Sequence, residues 1–228
     1  WLSRSVYIEE KDRYEIRDII GPDEYTEHVD NNAYSNYMVH DTVEKALLLL
    51  RDGGGRFVRE AEHYYSETGI VEKLKSYARK LYLPLPADAP SGVLPQNDGF
   101  LQKKILDVTK YRSSAGKQTI LKDYSRRQVD QMQVLKQPDV VMLFILLPEL
   151  FETAMKWKNW EYYEPKTIHD SSLSRAVYSV AASDCGEPRK AYECFLHAMD
   201  IDMGPSPHSS DEGIHAAAMG GIWMAVVR

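Results

Sequence analysis

Four acids, Asp23, Glu24, Glu27 and Asp30, fall within eight residues, directly after a Gly21-Pro22 turn signal. A run rich in amides and tyrosines, Asn31 to Tyr37, follows and feeds a long apolar stretch. Carboxyls crowded beside aromatics and amides can have their pKa values pushed apart, which acid/base chemistry requires. On composition alone the same stretch reads as an acidic turn capping a helix, because acids near a helix N-terminus are routine. Three other stretches carry polar groups of interest: Lys136-Gln137, His169-Asp-Ser-Ser-Leu-Ser174, and Gly213-Ile-His215. Each stands just ahead of an apolar segment. The seven histidines show no short paired spacing, so a metal site is not expected.

Together these stretches resemble the motifs of the family 65 glycoside hydrolases and phosphorylases. The resemblance rests on Gly21-Pro22-Asp23-Glu24-Tyr25 with Asn31-Asn32-Ala33-Tyr34-Ser35-Asn36, on Gln133-Val-Leu-Lys-Gln137, on His169 to Ser174, and on Asp211-Glu-Gly-Ile-His-Ala-Ala-Ala-Met-Gly220. The four occur in family order and cover nearly the whole chain. The resemblance implies an inverting phosphorylase that converts an α-linked glucose disaccharide and inorganic phosphate to β-glucose 1-phosphate and a released sugar. It implies no cofactor, with phosphate as co-substrate.

The resemblance also assigns roles. Glu24 matches the general acid, which must stay protonated near neutral pH, so burial or the neighbouring acids Asp23, Glu27 and Asp30 are expected to raise its pKa. Glu27 is the fallback acid. Lys136 and Gln137 match a sugar-binding pair, supplying the donors and the acceptor that hydroxyl recognition needs. Ser171, Ser172, Gly213 and His215, with His169 as a weaker member, match a phosphate pocket built at two helix N-termini. Taken singly, each of these starts reads as an ordinary N-cap. Arg175 stands where the family has a small or apolar residue; it either adds to the anion site or faces solvent. Asn32 and Asn36, one helical turn apart, are expected to brace the acid's loop. A hydrolase of the same family, trehalase-like, is the alternative, with Asp170, Asp211 or Glu212 as its base. A third reading is a non-catalytic helical piece.

Length and composition bound these readings. The chain has 228 residues, 43 % hydrophobic and 27 % charged, enough for one sizeable core. The net charge of −6, with no block of five like charges, disfavours nucleic-acid or anionic-membrane partners. Apolar runs are too short to span a bilayer, and two cysteines, Cys185 and Cys194, make no disulfide framework, so a reducing cytoplasm is expected. If one straight helix carried both, they would lie about 13 Å apart, too far to bridge. Trp1 is no initiator, and Arg228 directly follows an apolar run. The expectation is therefore a fragment, residues 1–228 forming the C-terminal portion of an (α/α)6-barrel catalytic domain, without an N-terminal β-sandwich and the early barrel helices. Many relatives are dimers, so the resemblance leaves a homodimer open.

The elements expected to position these groups are mostly α. A short strand is expected over 14–20, then helices over 31–51, 57–65 and 69–81. A Pro-rich connection spans 83–90. Asn97 and Asp98 are read as a surface turn rather than a ligand contact. Residues 103–127 form a basic, irregular, solvated loop. A helix starts at Pro138, where proline is tolerated at the first position. Trp157, Trp160, Tyr162 and Tyr163 form an aromatic loop, serving either as a sugar wall or as core. Further helices span 171–185 and 188–200, and the last runs from Gly213.

Overall fold

A computed structural model describes residues 1–52, 60, 63, 68–85, 92–112, 118–203 and 213–228. The helix expected over 57–65 lies almost wholly outside them. Nine helices are described: α1 (Ala33–Asp52), α2 (Ile70–Lys80), α3 (Thr109–Arg112), α4 (Arg126–Val129), α5 (Val140–Leu146), α6 (Thr153–Tyr163), α7 (Ser174–Asp184), α8 (Pro188–Met203) and α9 (Ala216–Val227). Strands β1 (Ser5–Ile8) and β2 (Arg13–Ile16) form an antiparallel hairpin, with Ser5 opposite Ile16. β3 (Lys104–Ile105) and β4 (Met132–Gln133) pair in parallel over two residues. The fold is mostly α, as the resemblance implies.

The longer helices make two layers. In the first, α1, α5, α7 and α9 are successive neighbours; in the second, α2 packs on α1, α6 on α5 and α7, and α8 on α7 and α9. The first-layer helices all point the same way. Asn32 Nδ2, before α1, donates to Asp139 Oδ2, before α5, at 2.9 Å. At the other end Arg228 Nη1, after α9, donates to Ile145 O in the last turn of α5 at 3.1 Å and pairs with Asp184 at the end of α7 at 3.4 Å. The start of α7 and the middle of α9 approach so closely that a Cβ on Gly221 would sit 2.8 Å from that of Ala176. Four N-termini therefore open on one end of the layer, each with the positive end of a helix dipole.

Local chemistry explains the boundaries. Asn32 caps α1, its Oδ1 accepting from Ser35 N at 2.9 Å. Pro138 lies outside α5, which begins at Val140 with Asp139 as its N-cap residue, two residues later than expected. Pro148 ends α5 by forcing Leu147 out of the helical region, to φ −126 and ψ 58. Gly186, at φ 78, lets the chain reverse between α7 and α8, and Pro188 opens α8. This reversal puts Cys185 and Cys194 on different elements, both as free thiols, so the single straight helix assumed for them does not exist.

α7 is the most buried helix, with Ser174, Ala176 to Ala182 all inside. Its small residues let neighbours close in on several sides. Trp160 Nε1 on α6 donates to Tyr178 O at 3.0 Å, and Ser179 Oγ donates to Ala191 O on α8 at 2.8 Å. The aromatic cluster expected as a loop is instead the end of α6. Trp160 and Tyr163 are core residues, Trp160 stacking on Trp157 at 4.9 Å and Tyr163 donating to Leu94 O at 2.5 Å.

The basic region is also more ordered than expected. It holds α3, α4 and a 3-10 turn at Thr119–Lys122. Four of its cations are paired: Lys103 with Asp130, Lys110 with Asp123, Arg126 with Glu27 and Arg112 with Glu164. Val108, Tyr111, Ile120 and Val129 from this region build a second small core with Tyr25 and Ile168.

Candidate active site

The sequence motifs converge at the end where the first-layer helices start. The acid loop is pinched at its base by an antiparallel bridge, Ile19 N to Val29 O at 3.0 Å and Val29 N to Ile19 O at 2.9 Å. Beside it runs the segment before α5. Asp23 Oδ1 accepts from Lys136 N at 2.8 Å, and Gln137 Nε2 donates to Pro22 O. The segment before α7 lies on the far side of Lys136: Ile168 N donates to Leu135 O at 2.8 Å and Asp170 N to Lys136 O at 3.1 Å. Tyr25 OH closes the circuit by donating to Asp170 Oδ2 at 2.5 Å. Residues more than 100 apart in sequence are thus held by hydrogen bonds from a side chain to a backbone group, at Asp23–Lys136 and Gln137–Pro22, and from side chain to side chain, at Tyr25–Asp170.

Glu24 projects from this framework. Its carboxylate is 57 % exposed, and Lys136 Nζ, only 16 % exposed, donates to Glu24 Oε2 at 2.6 Å. This departs from the expectation of a buried acid crowded by other carboxyls. The burial falls on its neighbours. Asp23 is fully buried and takes four hydrogen bonds, from Gln96 Nε2, Lys136 N, Tyr25 N and Thr26 Oγ1. Desolvation outweighs those bonds and pushes its acid up to about 6. Asp30 takes the Asp18 N–H, and Glu27 turns away to Arg126 at 3.2 Å.

Gln96 and Asn97 form the floor rather than a surface turn, while Asp98 stands exposed in a turn. Gln96 and Asn97 are buried, Gln96 O accepts from Ala33 N at 2.8 Å, and Asp98 N donates to Asp30 O at 3.0 Å. The surface-turn expectation holds for Asp98 and fails for Asn97, because residue type alone does not tell an inward-facing amide from an outward one. Asp98 accepts from Asn31 at 2.8 Å. Asn32 does brace the acid loop, through Gln96 O at 3.2 Å and Asp139. Asn36 donates to Asn31 Oδ1 at 3.4 Å, just after the acids, and to Tyr82 O at 2.8 Å, which also ties α1 to the chain after α2.

Gly21 has no room to become anything larger. A Cβ there would lie 2.4 Å from Asn32 Nδ2 and 2.7 Å from Asp139 Oδ2, both well-held groups. Gly21→Ala is expected to destabilise the fold by about 1–3 kcal/mol, as overpacking does. Urea unfolding of the two proteins measures it.

The anion-pocket candidates divide into two groups. Ser171 and Ser172 form a half-buried turn ahead of α7, where Ser171 Oγ accepts from Leu173 N at 3.3 Å and Ser171 O from Ser174 N at 3.1 Å. His215 precedes α9, with Nδ1 2.7 Å from Asp202 Oδ1 and its backbone N donating to Asp202 Oδ2 at 2.9 Å. Asp202 thereby sets the ring orientation and assigns the Nδ1 proton, leaving Nε2 for another partner. Gly213 is exposed at φ 103, in the left-handed region that suits glycine. Because α7 and α9 run parallel, these two turns share one end of the layer.

His169 does not belong with them. It is buried, Nδ1 facing Ser174 Oγ at 2.8 Å and Nε2 facing Arg112 Nη2 at 3.0 Å and Glu164 Oε1 at 3.4 Å. Burial drives its pKa down to about 3, so it stays neutral. Arg112 can only donate, so Nε2 accepts and Nδ1 carries the proton to Ser174. Arg175 neither faces solvent nor shows a free guanidinium; it joins this cluster, 3.7 Å from Glu164. Among the described residues no group of three or more His, Cys, Asp or Glu could hold a metal, and no helix is long and apolar enough to cross a membrane.

Sequence reasoning missed the hub role of Asp23, the inward loop at Gln96-Asn97, the buried Asp139 and the Glu164 cluster. Asp139 carried a readable signal, an acid between Pro138 and an apolar helix. Glu164 carried none, because its partners are 52 residues away at Arg112 and 11 away at Arg175.

Comparison with known proteins bears on the family of the chain. The family model of the glycosyl hydrolase family 65 central catalytic domain matches residues 1–224. The chain is 46 % identical over 228 residues to kojibiose phosphorylase of Escherichia coli (strain K12), covering all of this chain and 28 % of that protein. It is 34 % identical over 226 residues to nigerose phosphorylase of Lachnoclostridium phytofermentans, covering 96 % of this chain and 30 % of that one. A solved structure described as a putative kojibiose phosphorylase from human microbiome superposes with a TM-score of 0.85 at 28 % identity, over 99 % of this chain and 33 % of that one. The chain thus spans about a third or less of the length of each. With a family model matching nearly end to end, and the motif loops gathered at one end of a parallel helix layer, the chain belongs to glycosyl hydrolase family 65.

Proposed function

We propose that this chain supplies the acid and the phosphate pocket of an inverting disaccharide phosphorylase. The substrates are an α-linked glucose disaccharide and inorganic phosphate; the products are β-glucose 1-phosphate and the released sugar. The observation that carries this reading is the Glu24–Lys136 pair at 2.6 Å, held on backbone-stitched loops beside the N-termini of α5 and α7.

In this reading Glu24 protonates the glycosidic oxygen as the bond to the anomeric carbon breaks. A phosphate oxygen attacks that carbon from the opposite face, so one displacement inverts the configuration. Lys136 and Gln137 bind sugar hydroxyls; a hydroxyl that takes Lys136 Nζ frees Glu24 to carry its proton. Ser171, Ser172, Gly213 and His215 hold the phosphate, helped by the dipoles of α7 and α9. Phosphate brings its own charge, so no second carboxylate is needed to activate water. Asp170, one base the hydrolase alternative would call on, is already occupied by Tyr25 OH; Asp211 and Glu212 lie outside the described residues. The relatives at 46 % and 44 % identity are named kojibiose phosphorylases, which puts kojibiose first among substrates to try.

Ser172→Ala and His215→Ala in the full-length protein are each expected to raise the KM for phosphate about tenfold or more, the worth of one charge-assisted hydrogen bond. The KM for the disaccharide should stay near its original value. Initial-rate kinetics with each substrate varied in turn separates the two. A rise in the disaccharide KM alone would move these residues out of the phosphate pocket.

A further inference from the structure

Asp139 is fully buried beneath the acid loop, and the reaction proposed above gives it no task. Its Oδ2 accepts from Asn32 Nδ2 at 2.9 Å, while Oδ1 has no hydrogen-bond partner among the described residues. Gly21, the first residue of the acid loop, lies directly on Oδ2, at the closeness that excludes a Cβ. Asn32 passes the contact on to Gln96 O, and Gln96 Nε2 donates to Asp23 Oδ2 at 3.0 Å. Asp23 then takes the backbone N–H of Lys136. One connected path thus runs from Asp139 to both members of the Glu24–Lys136 pair. The titratable groups that face Asp139 are Asp23, Tyr34 and Tyr163, and none is a cation. Desolvation, with the charge of Asp23 adding and the Asn32 bond opposing, raises its acid to about 8. Near neutral pH it is a neutral carboxyl, and an amide of the same shape can take its place.

We propose that Asp139 is a positioning residue for the reaction: through Asn32 and its contact beneath Gly21 it sets where the acid loop presents Glu24 against Lys136. The proposal rests on Glu24 being the acid. A carboxyl that only filled space could be lost at a cost in stability alone. A positioning carboxyl costs turnover, because displacing a reacting group by about 1 Å lowers rate on the order of a hundredfold.

The test uses the full-length protein and compares Asp139→Ala with Asp139→Asn, measuring kcat, both KM values and the thermal midpoint. The alanine variant is expected to lose kcat by about a hundredfold, with both KM values within about threefold, while the asparagine variant keeps kcat within about threefold of the parent. Asn32→Ser keeps a helix cap but loses the reach to Asp139, and it carries the same expected kcat loss should the alanine variant not fold. Equal kcat in parent and alanine variant, or an equal loss in both Asp139 variants, would overturn the proposal. Cleavage by the parent without phosphate would refute the phosphorylase reading yet leave this kcat comparison valid. No cleavage of any α-linked glucose disaccharide by the parent would sink both.

Discussion

Glu24→Gln in the full-length protein should lower kcat by a factor of about 10²–10⁴, the usual worth of general acid catalysis. The disaccharide KM should change little. Glutamine has the shape of glutamate, and its amide oxygen can still accept from Lys136, which now donates to Glu24 Oε2. What it cannot do is give a proton to the departing oxygen. The loss should therefore depend on the leaving group. With α-glucosyl fluoride and phosphate, where departure needs little protonation, the variant should recover most of the parent's rate. Glu27→Gln, removing an exposed partner of Arg126, should leave kcat near its original value. Equal losses at Glu24 and Glu27, or no recovery with the fluoride, would mean that Glu24 is not the acid.

The second large effect is on stability. Among the described residues, Glu164 is the one carboxylate paired with Arg112, Arg175 and His169 in a largely buried cluster. All four side chains are less than a quarter exposed. Glu164→Gln leaves two guanidinium groups there without a counter-charge, and breaking a buried pair from one side costs about 3–5 kcal/mol. The same cluster sets an acid limit. Despite its burial, the hydrogen bond and positive charge of Arg112 hold the Glu164 acid down at about 2, against an ordinary 4.5. Its contribution is present above about 4.5 and is lost as pH falls toward 2. His169 adds a loss that starts sooner. Its folded pKa near 3 lies below the ordinary 6.5, so the unfolded chain takes up that proton first and stability declines as pH falls below 6.5. Urea midpoints of parent and Glu164→Gln should differ by a steady amount between pH 7 and about pH 4.5 and converge below it, as the Glu164 contribution is lost toward pH 2. A difference that stays unchanged below pH 4.5, or one under about 1 kcal/mol at pH 7, would show that the cluster is solvated.

What could be read from the sequence was local. Glycines, prolines and 3.6-residue periodicity marked α2, α8 and the reversal at Gly186 within a few residues. The motif residues were legible as types: a loop acid, a lysine–amide pair, hydroxyls before a helix. Their mutual placement was not, because it depends on hydrogen bonds such as Lys136 N to Asp23, across 113 residues. Aromatic composition left the role of Trp157 to Tyr163 open, and the loop expected there is helix. A Trp- and Tyr-rich stretch suits a sugar wall or a core equally, and only the packing of α6 on α7 decides for core. Burial misled at the acid loop. Crowded acids suggested that Glu24 would be the desolvated one, yet the chain buries Asp23 and Asp139 and leaves Glu24 at the surface with a lysine. His169 was grouped with the anion pocket because it neighbours Ser171 in sequence. Its left-handed backbone, at φ 66, instead turns it inward to Arg112.

The most direct measurement of the central claim is a proton NMR time course of the full-length protein with kojibiose and related α-linked glucose disaccharides, with and without inorganic phosphate. The account predicts that β-glucose 1-phosphate and one equivalent of released sugar form together, only when phosphate is present. Glucose release at the same rate without phosphate, or an α-configured sugar phosphate, would contradict it.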